Sequence, residues 1–463
     1  MAQEIMVAGA IYEDVPSVRL PDSDGVFHPF TDTSDTTAVA ADVAEGKLFH
    51  LADGSAVTGT AAGATLVTKS ITANGTYSAE DDNADGYSEV TVNVSGGGGG
   101  GESADPKDVN FIDYDGTIRY SYTKDEFMAL TAMPENPTHA GLVSQGWNWS
   151  LADAKNHVGT IGNNTIGQMY ATASGDTEID IVLRDGRLSP YLSLAPNGTV
   201  TIDWGDGTSD TVTGTSTYSV VSTQHTYSSQ GRYTIRVHID SGQLAFGASS
   251  GWNGILNANS IPTSSTNAVY QSSVMAIRLS SDVTLGNRAL YACSNMKYVT
   301  IPNEVSINNV QYLLSSSTSL NAVTMPKGSR YLGISAFQYS GIKYVSLPKR
   351  WSNARDTFNG CSRLLRIDLG INCTVTESSF SNCSSLTRLV INTVNSMSDS
   401  GFAYCYGLGE IHFQTATPPS VSSSRTFLSL PTDCAIYVPQ GSLAAYTSAS
   451  NYPSASTYTY VEE

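Results

Sequence analysis

Four of the six cysteines, Cys293, Cys361, Cys383 and Cys405, occupy one slot of a recurring pattern, the last three at 22-residue intervals. A column of thiolates could hold soft metal ions or exchange disulfides. The sequence argues against both. No pair forms CxxC, none of the six (the others are Cys373 and Cys434) precedes residue 293, and Ser317 fills the same slot in another copy. A slot that wants a small buried residue explains the column better, because cysteine is among the most buried residue types. No bridge is required, so no oxidising compartment is implied.

Other candidate chemistry is incomplete. Asp81, Asn83, Asp85 and Gly86 imitate the first half of a calcium loop, but Val92 stands where the closing Glu belongs. An acidic turn is the simpler account. Asp203 and Asp206 could touch a cation, yet Asp and Gly in a turn need no ion. The seven His are scattered without HxH, HxxxH or HExxH, and neither GxSxG nor a P-loop occurs. The reading therefore expects no catalytic residue, no metal site and no cofactor, and a chain that binds rather than catalyses.

The pattern that carries the cysteines sets the architecture. Its copies end on Ile301, Met325, Leu347, Leu369, Ile391 and Phe413, at intervals of 24, 22, 22, 22 and 22. Leu290, Phe358, Phe380 and Phe402 fill the first slot; Met296, Leu320, Leu364, Leu386 and Leu408 fill the third. The third copy, Phe337 to Ile342, is one residue short. Such a period with strand-like punctuation predicts a solenoid, whose rungs bury an apolar face only by stacking. In each strand the residues alternating with buried ones face outward. These pairs are Tyr298/Thr300, Ala322/Thr324, Tyr344/Ser346, Arg366/Asp368, Arg388/Val390 and Glu410/His412. Tyr298, Thr300, Tyr344, Ser346, Arg366, Asp368, Arg388, Glu410 and His412 are the candidate ligand-binding face. A face that is merely soluble is the plainer alternative.

Upstream, the composition divides the chain. Only 14% of residues are charged, against a usual ~25%. Residues 1–110 carry 18 Asp/Glu and 4 Lys/Arg, whereas residues 279–463 carry 10 and 12. The acidic front argues against nucleic acid. No run of 18 apolar residues exists, so no membrane insertion is expected. The first 30 residues lack a basic n-region and a full apolar core, so no signal peptide is expected. Residues 1–62 form an N-terminal module, with a helix over TSDTTAVAADVAEGK and a hairpin about Asp53-Gly54. Residues 63–95 read as a small hairpin module, and residues 96–105 hold six consecutive glycines, a tether. Residues 106–191 read as a mixed α/β connecting segment, with Ser150 capping a helix backed by Trp147 and Trp149 and strands about Asp185-Gly186. Residues 192–245 form a sandwich, 246–278 connect, 279–433 hold the repeats and 434–463 cap them.

Several of these segments resemble known families. Asp42, Val43, Gly46, Lys47, Phe49, Gly54, Val57, Gly59 and Thr60, followed by Ile71 to Val94, resemble N-terminal modules of bacteriophage tail and fibre proteins. Asp203-Trp204-Gly205-Asp206-Gly207 with His225, Tyr227, Gly231, Tyr233 and Ile235 resembles a PKD-type immunoglobulin-like sandwich. Trp204 is then expected in its core, with Tyr227 and Tyr233 on strands. The repeats, with Pro302, Pro326 and Pro348 after the strand, resemble BspA-type leucine-rich repeats of bacterial surface and phage tail proteins. The expected fold is mainly β and multidomain: small N-terminal β modules, a sandwich and a C-terminal solenoid. Together the resemblances imply a phage virion protein, assembled in the host cytoplasm. It would be a tail fibre or receptor-binding protein that meets other virion proteins through its acidic modules and a bacterial surface glycan or protein through its solenoid. A capsid head fibre or decoration protein shares this plan, and a bacterial BspA-type adhesin is the alternative. A homotrimer, common among fibres, is compatible with each.

Overall fold

The computed structural model describes residues 107–463, apart from 185, 248–253, 258–267, 350, 370–372 and 393, and the strands alone within residues 1–106. The chain forms two compact units, Met1–Gly101 and Glu102–Glu463. In the first, Leu48–His50 and Ala56–Thr58 pair antiparallel, as expected of a hairpin; the residues between them lie outside the described ones. The expected hairpin of residues 63–95 is different. Leu66–Ile71 and Gly86–Val92 pair parallel, with Leu66 opposite Gly86. The 14 intervening residues, 72–85, suffice for a crossover, which a parallel pair needs. The expected helix over residues 34–46 and the calcium-like loop lie outside the described residues.

The second unit opens with a small α/β module, residues 107–172. Its sheet runs Ile118–Tyr122, Val109–Ile112, Asn164–Thr172, Leu142–Trp147, with the central pair parallel. Thr123 caps the helix Lys124–Ala129 through a reciprocal bond with Glu126. Ser150 caps the longer helix Leu151–Ile161 by accepting from Asp153 N–H, and Gly162 ends it at φ +93°. Phe111, Phe127, Trp147, Trp149 and Val158 make its core. All nine residues of Asn164–Thr172 are buried, where a half-exposed strand would alternate. One face lies under the module's own helix, and the other needs a second cover.

The next element redraws two boundaries. Thr177–Leu183, assigned above to the connecting segment, pairs along its whole length with the 16-residue strand Gly231–Phe246. That long strand also pairs with Tyr191–Asp203, which in turn pairs with Ser209–Thr215 and, at its start, with Val221–Gln224. Trp204 is fully buried there, its indole N–H donating to Asp210 at 2.8 Å, with His225 stacked on it at 4.7 Å. Tyr233 lies in the long strand as expected, whereas Tyr227 sits in the loop before it, its hydroxyl donating to Trp204 O.

Residues 246–278 are likewise not a mere connection. Leu244–Phe246, the end of the long strand, pairs parallel with Val283–Leu285. Val274–Arg278 pairs antiparallel with Thr177–Leu183 on one side and parallel with Tyr298–Thr300 on the other. The antiparallel sheet therefore turns into the solenoid's ladder, and one apolar core runs from Ile179 to Tyr446. Arg278 rivets the junction, bonding Glu178, Asp180 and the Tyr298 hydroxyl at 2.7–2.8 Å.

The solenoid makes about eight turns. Its strand face continues through Ala322–Thr324, Tyr344–Ser346, the bridge of Asp368 to Val390, Arg388–Ile391, Glu410–Phe413, Ala435–Val438 and Thr459–Glu462. The cap thus holds a further strand beyond its helix, Leu443–Ser448. Phe337, Phe358, Phe380, Phe402 and Phe427 stack nearly parallel, 5.1–6.0 Å apart. The turns are tight enough to hold non-glycine residues left-handed at repeating places, among them Ser378, Asn382, Ser400 and Tyr404.

The cysteine column is buried and unbridged. Each thiol has a further task. Cys361, Cys383 and Cys405 donate to Phe337 O, Phe358 O and Phe380 O of the preceding coil at 3.0, 3.3 and 3.2 Å. Ser317 does the same to Leu290 O. The slot wants a small donor, which is why Ser and Cys alternate there. Burial pushes the Cys361 and Cys405 thiols up to about 12. They remain protonated and unreactive.

Candidate functional site

The strand ladder aligns the nine candidate residues on one side of the solenoid, but it does not leave them open. The α/β module lies on the first four coils. Tyr298 meets the ring of Tyr114 at 4.6 Å, and Thr300 is buried. Tyr344 packs with Ile112 and Ala322 in a small shared cluster. Ser346, fully buried, donates to Thr165 O at 2.7 Å and to Asn148 Oδ1 at 3.0 Å. Arg366 donates to the carbonyls of Lys107 and Asp108, and Asp368 accepts from Thr165 N–H at 2.9 Å. Six of the nine thus face the chain's own module. The expectation of an outward face there is corrected: the fully buried strand Asn164–Thr172 finds its second cover on it.

The residues that make this contact were not singled out from sequence. Asn148 donates to Met325 O at 3.3 Å while its Oδ1 accepts from Gly167 N–H and Ser346. The Trp149 indole donates to Leu347 O at 2.8 Å. Gly167 lies so close to Thr324 that a Cβ would stand 2.0 Å from its Oγ1. Asn321 donates to Asp115 O, and Gln145 bonds both Glu304 and Asn303 N–H. Signals did exist. A lone Gly inside a strand marks close backbone approach. Ala322 is also small where later coils carry Arg388 and Glu410.

Behind this seam sits a buried carboxylate. Asp113 accepts from Arg119 at 2.7 Å and from the Tyr170 hydroxyl at 2.8 Å, with the His139 ring at 2.8 Å. Burial by itself would raise its pKa, but His139, the Tyr114 N–H and the Tyr170 hydroxyl outweigh it and hold it below the ordinary value. The arrangement fixes the turn that presents Tyr114 to Tyr298. It is a structural hub.

The last coils are covered less: Arg388 is exposed and Glu410 half-buried, while Val390 and His412 are buried. Arg388 reaches Glu410 at 3.4 Å, and His412 lies between Glu410 at 3.1 Å and Glu463 at 3.0 Å. The His412 ring stacks on Tyr437 at 4.3 Å and 3°. Beside them, Asn392 and Gln414 bond the carbonyls of Thr160 and Ile161 at the helix end, so the module stops here. Arg388, Glu410 and Tyr437 keep accessible polar groups here, while the His412 ring is buried, stacked on Tyr437 and held by its two carboxylates. Among the described residues no cluster of three or more His, Cys, Asp or Glu is placed to hold a metal ion.

No curated protein matches the chain. A solved leucine-rich repeat protein from Bacteroides ovatus is similar over 48% of this chain and 71% of its own, at 16% identity and a TM-score of 0.24. Residues 238–340 and 310–421 match the BspA type leucine rich repeat region, in six copies. The match begins inside the long strand Gly231–Phe246, where the antiparallel sheet becomes the ladder, and not at residue 279. The coils of this C-terminal solenoid are BspA-type leucine-rich repeats.

Proposed function

We propose that the chain is a surface-adhesion protein that binds a bacterial surface glycan or protein through its solenoid and performs no catalysis. The observation that carries this reading is the solenoid itself. A continuous core and a phenylalanine stack make it a stiff platform, and its last coils hold Arg388, Glu410 and Tyr437 at accessible positions of the strand face. Rigid placement of a few polar and aromatic groups suits recognition.

The finer reading rests on the resemblance of residues 42–94 to phage fibre modules. The acidic first unit attaches to a virion, the glycine tether follows, and the PKD-type sheet and solenoid carry the contact with the bacterial surface. The virion site, tail or capsid, and a trimeric state belong to this proposal. BspA-type repeats favour equally a bacterial cell-surface adhesin. Mass spectrometry of purified particles and of cell-wall fractions from the source decides between them: the chain belongs to whichever holds it. Adhesion itself is tested by binding of the labelled full chain to bacterial cells. Absence of binding across a panel of cells refutes it, and shortening of host polysaccharide on incubation refutes the non-catalytic part.

A further inference from the structure

The module's docking creates a cleft that neither part has alone. About 410 Å³ in volume, it is lined by Asn148, Trp149, Ser150 and Asp153 at the start of the helix Leu151–Ile161, and by Lys327, Arg330 and Lys349 from the loops after two solenoid strands. Lys349 pairs with Asp153. Lys327 and Arg330 are exposed, and their side chains have no hydrogen-bond or ionic partner among the described residues.

The surrounding sequence deepens the charge. Between residues 305 and 367 the chain holds eight Lys/Arg and a single acid, Asp356, in a protein whose net charge is −18. A second void lies behind the cleft and shares Trp149 and Lys349 with it. His157 and Asn164 line that void, 7% and 2% exposed, and His157 Nε2 and Asn164 Nδ2 find no protein partner. Unpaired buried polar atoms are uncommon in stable proteins. That void, about 10 Å³, has room for one bridging water and not for a ligand, and Asp368 Oδ1 also stands unpaired in it.

We propose that this cleft binds an anionic group, a phosphate or a carboxylate, carried on a surface polysaccharide. Lys327 and Arg330 supply the two free cations, and the first turn of the helix adds its N–H groups. Lys349 exchanges Asp153 for the ligand. The site is of the size that accepts one or two sugar units. This inference rests on the adhesion reading for the source of the polysaccharide, but the cleft's preference for anions can be measured without it.

The test titrates the full-length protein with three defined polymers: a polyglycerol phosphate, an oligogalacturonate and neutral dextran. Binding of either anionic polymer that weakens with salt, with none to dextran, is expected, and the arm that binds names phosphate or carboxylate. K327E/R330E should weaken it at least about tenfold, the loss expected for a charged hydrogen bond. K297E/R363E makes the same change in charge at exposed residues that do not line the cleft, and should stay within about twofold of wild type. Equal losses in the two variants, or no binding to either anionic polymer, overturn the proposal. Cell binding is read separately. If K327E/R330E loses the polymer yet wild type fails to bind any cell, adhesion is refuted and the anion site stands.

Discussion

Substituting Gly167 by Ala tests whether the module is seated on the solenoid. A methyl group added there would lie 2.0 Å from Thr324 Oγ1, 2.5 Å from Cγ2 and 2.7 Å from Cβ. Ordinary contact begins near 3.4 Å, so the overlap with Oγ1 is about 1.4 Å. Thr324 is buried within its strand and cannot swing away. The sheet must therefore lift from the coils. Lifting by that distance breaks the bonds of Ser346 to Thr165 O (2.7 Å) and Asn148 Oδ1 (3.0 Å), of Trp149 to Leu347 O (2.8 Å) and of Asn148 to Met325 O (3.3 Å). The Ser346 hydroxyl has one hydrogen to share between its two acceptors, so three donors are lost; at about 1 kcal/mol each the loss is about 3 kcal/mol, concentrated at the interface. Hydrogen exchange should then accelerate in 322–324 and 344–346 and in 164–172, while the distal strands 410–413 and 435–438 keep their protection. The second-site change Thr324→Gly removes all three clashing atoms, and Thr324 Oγ1 has no partner to lose. G167A/T324G should restore much of the protection. A Gly167→Ala protein with unchanged exchange and stability within about 0.5 kcal/mol would show that no close contact exists.

Four further outcomes follow from the core and the buried carboxylate. Cys383→Ser, which keeps a donor for Phe358 O, should cost about 1 kcal/mol, whereas Cys383→Val loses the donor and overpacks, costing about 2–4 kcal/mol by denaturant midpoint. Because burial raises these thiols, a maleimide at mild alkaline pH should label none of Cys293, Cys361, Cys383 and Cys405 until the protein unfolds; rapid native labelling refutes the column. Phe380→Ala opens the stack between Phe358 and Phe402, each 5.3 Å away, and should cost about 3–5 kcal/mol. For Asp113 the folded-state pKa lies below its ordinary 3.8, so its carboxylate stabilises the fold fully at higher pH and loses that effect as pH falls through the lowered value. Asp113→Asn should therefore be destabilised by about 3 kcal/mol near neutrality. The gap to wild type should narrow as pH falls below about 4, read by urea unfolding across pH; a gap independent of pH contradicts the assignment.

The repeats were legible because their signal is redundant. Six copies place Phe, Cys and Leu at fixed steps, and each buried slot is confirmed by its neighbours in Phe358, Phe380 and Phe402. Trp204 and the Ser150 cap were legible for a local reason, since turn and cap chemistry act within a few residues. What the sequence did not disclose is long-range. The pairing of Thr177–Leu183 with residues 231–237 and 274–278 depends on which edge a strand meets, and alternation alone does not name the partner. The parallel pairing of Leu66–Ile71 with Gly86–Val92 was hidden for the same reason, because period two is shared by both pairings.

The candidate face failed in an instructive way. Outward on a strand was equated with outward on the molecule, yet a strand has two faces and a chain of this length can supply a cover for each. Residue choice along the ladder records the difference. Where Gly167 comes closest, the outward positions Ala322, Thr324 and Ser346 are small, while Tyr298, Tyr344, Arg366 and Asp368 meet the module through ring contacts and hydrogen bonds. Where it ends, at Thr160 and Ile161, they become Arg388, Val390, Glu410 and His412. The solenoid has thus divided one uniform surface into a part that binds its own chain and a part left for another. The anionic cleft lies on the seam. Any ligand there touches both halves, so Gly167→Ala, which unseats the module, should weaken anion binding as strongly as K327E/R330E, although it removes no charge. Retention of anion binding in an unseated protein would assign the site to the solenoid loops alone.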